Sequence, residues 1–180
     1  MMPIGKTFNK FKRIVHDTAN KVGKKVDLVI NGGDTELDKT VIEKIADPLV
    51  HLIRNSVDHG IEAPDSREKF GKNKTGVLQL NAYHDAGSIA IEIVDDGKGL
   101  DADLLLQKGI EKGLVGEDDE LTEKEIFDLI LQPGFSMAKA VSDISGRGVG
   151  MDVVKQNITD LGGSVEIWSK KGIGSTFTIK

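Results

Sequence analysis

Between Leu37 and Asp58 apolar residues recur every three or four positions. Val41, Ile45, Leu49, Leu52, Ile53 and Val57 form one stripe, and the spacing predicts the most regular helix of the chain, bent at Pro48. Phe8, Phe11, Ile14 and Val15 repeat at the same period among Lys and Arg, which predicts a shorter amphipathic helix over 6–20. Elsewhere the period falls to two. Val77 to His84 and Ser88 to Val94 alternate as strands around Asp85-Ala86-Gly87, a hairpin. Val26 to Ile30 reads as a strand ended by Asn31-Gly32-Gly33, and 164–169 with 175–180 as a closing pair of strands. Helices are predicted over 101–112, over 122–131 and over 149–161, the last stopped by Gly162-Gly163. The second opens with Thr122 and, three residues later, Glu125, a capping box. The stretch 132–147 carries no apolar period and reads as a long loop, of the kind that serves as a lid. Strands in hairpins with helices between them predict an α+β fold: a two-layer α/β sandwich with a mixed, mostly antiparallel sheet and helices on one face.

Composition narrows this picture. A chain of 180 residues with 38% hydrophobic content suits one compact domain, and with Trp168, Tyr83 and six Phe its core must be mainly aliphatic. A net charge of -5 leaves no basic footprint for nucleic acid. Without cysteine there can be neither disulfides nor Cys-based zinc sites. Met1 to Arg13 is too charged for a signal peptide, and no apolar run approaches the ~20 residues that span a bilayer. The expected location is therefore the cytoplasm, with no direct membrane insertion. The last strand stops at Lys180 without a polar tail, as expected of a domain excised from a longer chain.

Three segments carry candidate chemistry. On the Leu37–Asp58 helix, Asp47, His51, Asn55 and Asp58 stack at i, i+4, i+8 and i+11 opposite the apolar stripe. Amide and carboxylate oxygens suit Mg²⁺, which binds through phosphates plus one or two protein groups; an ordinary solvated face is the alternative reading. Asp95-Asp96-Gly97-Lys98-Gly99 puts a carboxylate at a strand end, able to accept from an exocyclic amine, beside glycines that let a flat ring approach the backbone. Gly146-Arg147-Gly148-Val149-Gly150 precedes a helix whose free N–H groups can cradle phosphates. It is no Rossmann fingerprint, because its last glycine is one residue early and no buried strand precedes it, and Gly5-Lys6-Thr7 lacks the upstream glycine of a P-loop. Together the three describe a pocket for a metal-bound purine triphosphate in a kinase-type domain. His16 and His84 read as surface residues, Glu117 to Glu120 as a solvated loop, and Met151 and Phe127 as core.

The segment His51-Leu-Ile-Arg-Asn55-Ser-Val-Asp58-His59-Gly60-Ile61-Glu62 resembles the N box of the GHKL ATP-binding fold, in the form found in chemotaxis histidine kinases of the CheA type. Asp95 to Gly99 resembles its G1 box, Pro133-Gly134-Phe135-Ser136 its F box and Ser145 to Val154 its G2 box. The resemblance implies ATP and Mg²⁺ as cofactors. It places Asn55 and His51 at the metal, with His51, Asn55 and His59 as the catalytic group, and Asp58 and His59 beside the nucleotide. Asp95 would read the adenine amino group, Gly97 and Gly99 would flank the ring, and Thr176 would help through water. Ser136, Ser145, Gly146, Arg147, Gly148, Val149, Gly150 and Met151 would carry the triphosphate under the lid. His51 stands where GHKL hydrolases carry a water-activating Glu, which favours phosphoryl transfer over hydrolysis. Two positions depart from the pattern: Met137, where Thr is usual, and Leu104, where a basic residue is common. The implied organisation is 1–20 as the end of a linker or dimerisation helix and 21–180 as the ATP-binding catalytic domain. The implied partners are a separate histidine phosphotransfer domain as substrate and, through the parent protein, regulatory and dimerisation domains, a coupling protein and chemoreceptors. The rival readings are a GHKL ATPase of the gyrase, Hsp90 or mismatch-repair type and a pseudokinase module that binds nucleotide without transferring phosphate.

Overall fold

The computed structural model describes residues 1–135 and 150–180. A two-residue strand β1 (Met2–Pro3) and helix α1 (Gly5–Lys21) precede β2 (Val26–Asn31), the two-residue β3 (Glu36–Leu37) and α2 (Lys39–Asn55). The chain then runs through a π-helical turn (Ser56–Gly60) and α3 (Pro64–Lys69) to β4 (Gly76–Asp85) and β5 (Ser88–Asp95). After α4 (Ala102–Glu111), α5 (Glu123–Asp128) and a 3-10 turn (Leu129–Leu131), α6 (Met151–Asp160) leads into β6 (Val165–Lys170) and β7 (Gly174–Ile179).

The five long strands form one sheet in the order β2-β4-β5-β7-β6. Only β2 and β4 pair in parallel, joined by the crossover that contains α2; the other ladders are antiparallel. The expected mixed, mostly antiparallel sandwich is what the hairpin pattern produces. The helices cover one face of the sheet, where Leu78, Leu80 and Ile93 are fully buried, while Val29, Tyr83 and Trp168 are 40%, 38% and 56% exposed. The predicted hairpin closes on Ala86 and Gly87, both at positive φ, with Asp85 paired to Ser88.

Helix α2 forms because Asp38 caps it, accepting from the Thr40 N–H at 2.8 Å, and because its apolar stripe has a sheet to cover. Leu49, Leu52, Ile53 and Val57 are at most 1% exposed, each contributing about 1.5–3 kcal/mol by leaving water. The helix continues through Pro48. The carbonyl that loses its partner there belongs to Lys44, an exposed residue, so water can replace the missing N–H. Phe8, Phe11 and Val15 of α1 pack into the same core. The capping box at Thr122 and Glu125 forms as predicted. The sequence pattern did not foresee α3, the β1–β3 ladder or the π turn.

Candidate functional site

The floor of the site is the end of β5. In the ladder Asp95 pairs with Ser175 of β7, which pairs with Ser169 of β6, and all three are buried on the helix-facing side. Asp95 Oδ1 accepts from the Gly97 N–H at 2.9 Å, and the Ser56 hydroxyl donates to the same carboxylate. Burial pushes the Asp95 carboxyl up to about 6, against the pull of those two donors and with help from the neighbouring Asp96 charge. No cation is among these influences, so Asp95 is a buried carboxylate still able to accept from a donor that enters the site.

The Asp95–Gly99 turn lies flat against the π turn. The Lys98 N–H donates to the Gly60 carbonyl at 2.9 Å, and a Cβ at position 97 would sit 2.1 Å from that oxygen, so only glycine fits. Gly99 has φ +73°, and a Cβ there would meet the Lys170 carbonyl oxygen at 2.3 Å. The two turns therefore meet backbone against backbone, with no side chain between them.

The polar stripe forms the other end. His51 and Asn55 are half-buried on α2, and the Asn55 amide donates to Met151 Sδ at 3.1 Å, tying α2 to the first residue of α6. That orientation leaves Asn55 Oδ1 as the atom offered to a cation. Burial, then the Arg54 charge, lowers the His51 pKa, so the imidazole is neutral near neutral pH. The chain then widens: the Ile61 N–H reaches back five residues to the Ser56 carbonyl at 2.8 Å, which defines the π turn. In this turn Asp58 pairs with His59 at 3.2 Å, and Lys24, in the α1–β2 connection, donates to the carbonyls of Val57 and Asp58. Among the described residues there is no cluster of three or more His, Asp or Glu that would cage a metal. The arrangement suits Mg²⁺ only in its usual mode, with one or two protein oxygens and the remainder from phosphates and water. Gly150 precedes α6 and, among the described residues, no side chain caps that ten-residue helix, whose first residue Met151 lies beside Asn55.

The structure therefore brings together Asn55, Gly60, Asp95, Gly97, Gly99 and Met151, with His51, Asp58 and His59 along the same stretch of chain. Thr176 is not among them. It pairs with Val94 and Trp168 on the opposite, open face, because side chains alternate along β7, and Ser175 occupies the site face instead. Ser136, Ser145, Gly146, Arg147, Gly148 and Val149, together with Met137 and the 136–147 part of the expected lid, lie outside the described residues. At the edge of that segment Phe135 is buried, with Lys112 donating to the carbonyls of Gly134 and Phe135 at 3.0 and 2.8 Å. His16, His84 and Glu117 to Glu120 are exposed as expected, and Leu104 is 50% exposed. Sequence reasoning missed Ser56 and Ser175. Ser56 falls off the 3.6-residue stripe and Ser175 needs the β5–β7 register to be placed.

A family model described as histidine kinase-, DNA gyrase B-, and HSP90-like ATPase matches residues 44–180. The chain is 53% identical over 182 residues to a sensor histidine kinase CheAY of Helicobacter pylori, covering 100% of this chain and 23% of that protein. It is 52% identical over 179 residues to a chemotaxis protein CheA of Salmonella typhimurium, covering 99% of this chain and 26% of that protein. It thus spans about a quarter of the length of these curated relatives. Among solved structures, the catalytic domain of the histidine kinase ThkA superposes with a TM-score of 0.57 at 13% identity, covering 97% of this chain and 88% of that one. The full-length ShkA in complex with AMPPNP gives a TM-score of 0.58 at 15% identity, over 98% of this chain and 30% of that one. At such identities the likeness is one of fold.

Proposed function

The chain belongs to the family of histidine kinase-, DNA gyrase B- and HSP90-like ATPases, and from that membership we propose that it binds Mg-ATP and passes the γ-phosphoryl group to a histidine on a separate phosphotransfer domain in chemotaxis signalling. The observation that carries the reading is Asp95: a carboxylate 4% exposed, held by Gly97 and Ser56, at a strand end where two glycine turns meet backbone to backbone. Such a group accepts from the adenine amino group and repels the carbonyl that guanine presents at the same position. Asn55 holds Mg²⁺ through its amide oxygen, with the phosphates supplying most of the other ligands, and when bound the metal offsets charge on the transferring phosphoryl group. The N-terminal end of α6 would receive phosphate oxygens. His51, His59 and Asp58 line the approach to the metal, and His51 in place of a water-activating Glu leaves hydrolysis slow.

The kinase reading rests further on the relatives, which are named as chemotaxis proteins and a sensor histidine kinase at about 50% identity. They are roughly four times as long as this chain, which leaves room for the acceptor, regulatory and dimerisation domains and for contacts to a coupling protein and chemoreceptors. We place the assembly in the cytoplasm.

The test is transfer of label. Incubated alone with γ-labelled ATP, the chain should stay unlabelled and release phosphate slowly. Adding a phosphotransfer domain from a relative should move the label to that partner, in a bond that acid breaks and alkali spares. Acid-stable label would point to Ser or Thr as acceptor, rapid phosphate release without a partner would favour an ATPase, and binding without any transfer would favour a signalling module.

A further inference from the structure

Beside the Asp96-Gly97 turn lies a cluster of charges. The Arg67 side chain, 1% exposed, donates through Nη1 to Glu62 Oε1 at 3.0 Å and through Nη2 to Asp96 Oδ2 at 3.1 Å. The same guanidinium reaches the Asp96 carbonyl at 3.2 Å and, through Nε, the Asn73 carbonyl at 2.6 Å. Lys72 donates to Glu62 Oε2 at 2.7 Å, to the Asp96 carbonyl at 3.0 Å and to the Gly97 carbonyl at 2.7 Å. Burial works against the Glu62 charge, but the Lys72 hydrogen bond and both cations outweigh it and hold its carboxyl below its ordinary value. Asp96 Oδ1 accepts from the Val77 N–H at 2.9 Å, anchoring the turn to β4.

We infer that Glu62, Arg67 and Lys72 are positioning residues for nucleotide binding: a clamp that fixes the distance between Gly60 and Gly97 without touching the ligand. Glu62 lies two residues beyond Gly60, at the exit of the π turn, and Asp96 and Gly97 form the facing wall. Backbone to backbone, the two walls meet through the bond from Lys98 N–H to the Gly60 carbonyl, with no side chain at either glycine to wedge them. The carbonyls of Asp96 and Gly97 point back into the clamp, so their orientation, and with it the aim of the Gly97 N–H at Asp95, depends on the two cations. A buried ionic cluster adds little net stability compared with apolar packing of the same volume, whereas its fixed donor geometry defines a single arrangement of the groups it joins. Asn73 and Lys72 sit on the α3–β4 connection, so the clamp also makes that surface segment part of the pocket.

The inference rests on the adenine reading proposed above. Its test is Lys72→Met, which keeps the apolar stem of a partly exposed side chain and removes all three donations. Calorimetry on this chain with adenosine, ADP and ATP should show each weakened by a similar factor, roughly 3- to 30-fold, with the Mg²⁺ dependence of ATP binding unchanged. Hydrogen exchange followed by NMR should show faster exchange of the Lys98 amide, while amides in the core of the sheet keep their protection. Adenosine affinity within twofold of the parent, a loss confined to Mg-ATP, or an unchanged Lys98 amide would each overturn the clamp. Asp95→Asn separates the two readings: if it weakens adenosine and Lys72→Met does not, the adenine site stands and the clamp falls. If the parent chain binds no adenosine, both fall.

Discussion

At its Asp95 end the site is lined by groups that already have partners, while at its Asn55 end it presents half-buried side chains whose contacts are weak. Asp95 is almost fully enclosed and bonded to Gly97, and the turn it opens is pinned to Gly60, Val77, Arg67 and Lys72. Asn55 donates to a thioether, a poor acceptor, and the His59 side chain is 75% exposed. A binding site of this kind separates two tasks. On the proposed reading, the shape that selects the base is part of the folded protein, whereas the geometry around the metal is completed by the phosphates that arrive with it. The two ends should therefore respond differently to mutation, to pH and to the removal of metal.

The largest effect belongs to the metal end. Asn55→Ala should lower phosphotransfer by ~100- to 1000-fold, as loss of a group that stabilises charge in the transition state does, and should erase the Mg²⁺ dependence of ATP affinity. Adenosine binding should be unchanged, because Asn55 is not among the residues proposed to meet adenine. Loss of adenosine binding in this variant, measured by calorimetry, would show that the two ends are one unit. Asp95→Asn should act the other way, reducing the affinity of adenosine and ATP roughly 10- to 100-fold while leaving the Mg²⁺ dependence intact.

The same substitution should strengthen the fold. The folded carboxyl titrates at about 6 against an ordinary value of 3.8, so ionised Asp95 is less favourable in the folded chain than in the unfolded one. Its cost is absent below pH 3.8, grows as the pH rises and is complete above about 6, where two units correspond to about 3 kcal/mol. Denaturant unfolding of Asp95→Asn should show a gain of ~1–3 kcal/mol at pH 7.5 that disappears near pH 4. A destabilised Asn variant at neutral pH would mean that the carboxylate is better solvated than its burial implies. Affinity should follow the same titration. Adenosine binding should weaken as the pH falls through about 6, by up to ~10-fold per unit, because the amino donor bonds better to the ionised group. Adenosine is the right ligand here, since it carries no phosphate to titrate in that range.

The smallest effect tests which face of the sheet the site occupies. Thr176→Ala should leave adenosine affinity within about twofold, whereas Ser175→Val, next to Asp95 in the ladder, should weaken it several-fold. The reverse order would return Thr176 to the pocket.

Much of the fold could be read from periodicity, and the site much less so. The α2 stripe, the β4–β5 hairpin and the Thr122 capping box are local patterns, set within a few residues of one another, and they appear where the sequence puts them. What escaped the sequence depends on pairing at a distance. The choice between Ser175 and Thr176 needs the register of β7 on β5, and a one-residue difference exchanges the faces. The Arg67–Asp96 pair joins residues 29 apart on elements that no pattern marks, and α3, six residues opened by proline, is too short to show a period. Asn55, Asp95, Gly97 and Gly99 were legible because each sits at the end of an element, where a polar residue or a glycine interrupts an apolar pattern.

The π turn acts as a phase shift between two otherwise incompatible alignments. A helix advances ~100° per residue, so the extra residue held between Ser56 and Ile61 rotates everything after it by about that angle relative to the stripe that carries Asn55. Upstream, the chain obeys the demand that Leu49, Leu52 and Ile53 face the sheet; downstream, it is free to turn the Gly60 carbonyl toward Lys98. Deleting one residue within 56–60 would rotate the chain that follows by about 100°, moving the buried Ile61 together with Gly60. It would swing Gly60 out of mesh with the Asp95 turn, leaving Asn55 on α2 but parting the two backbones that the Lys98 N–H joins.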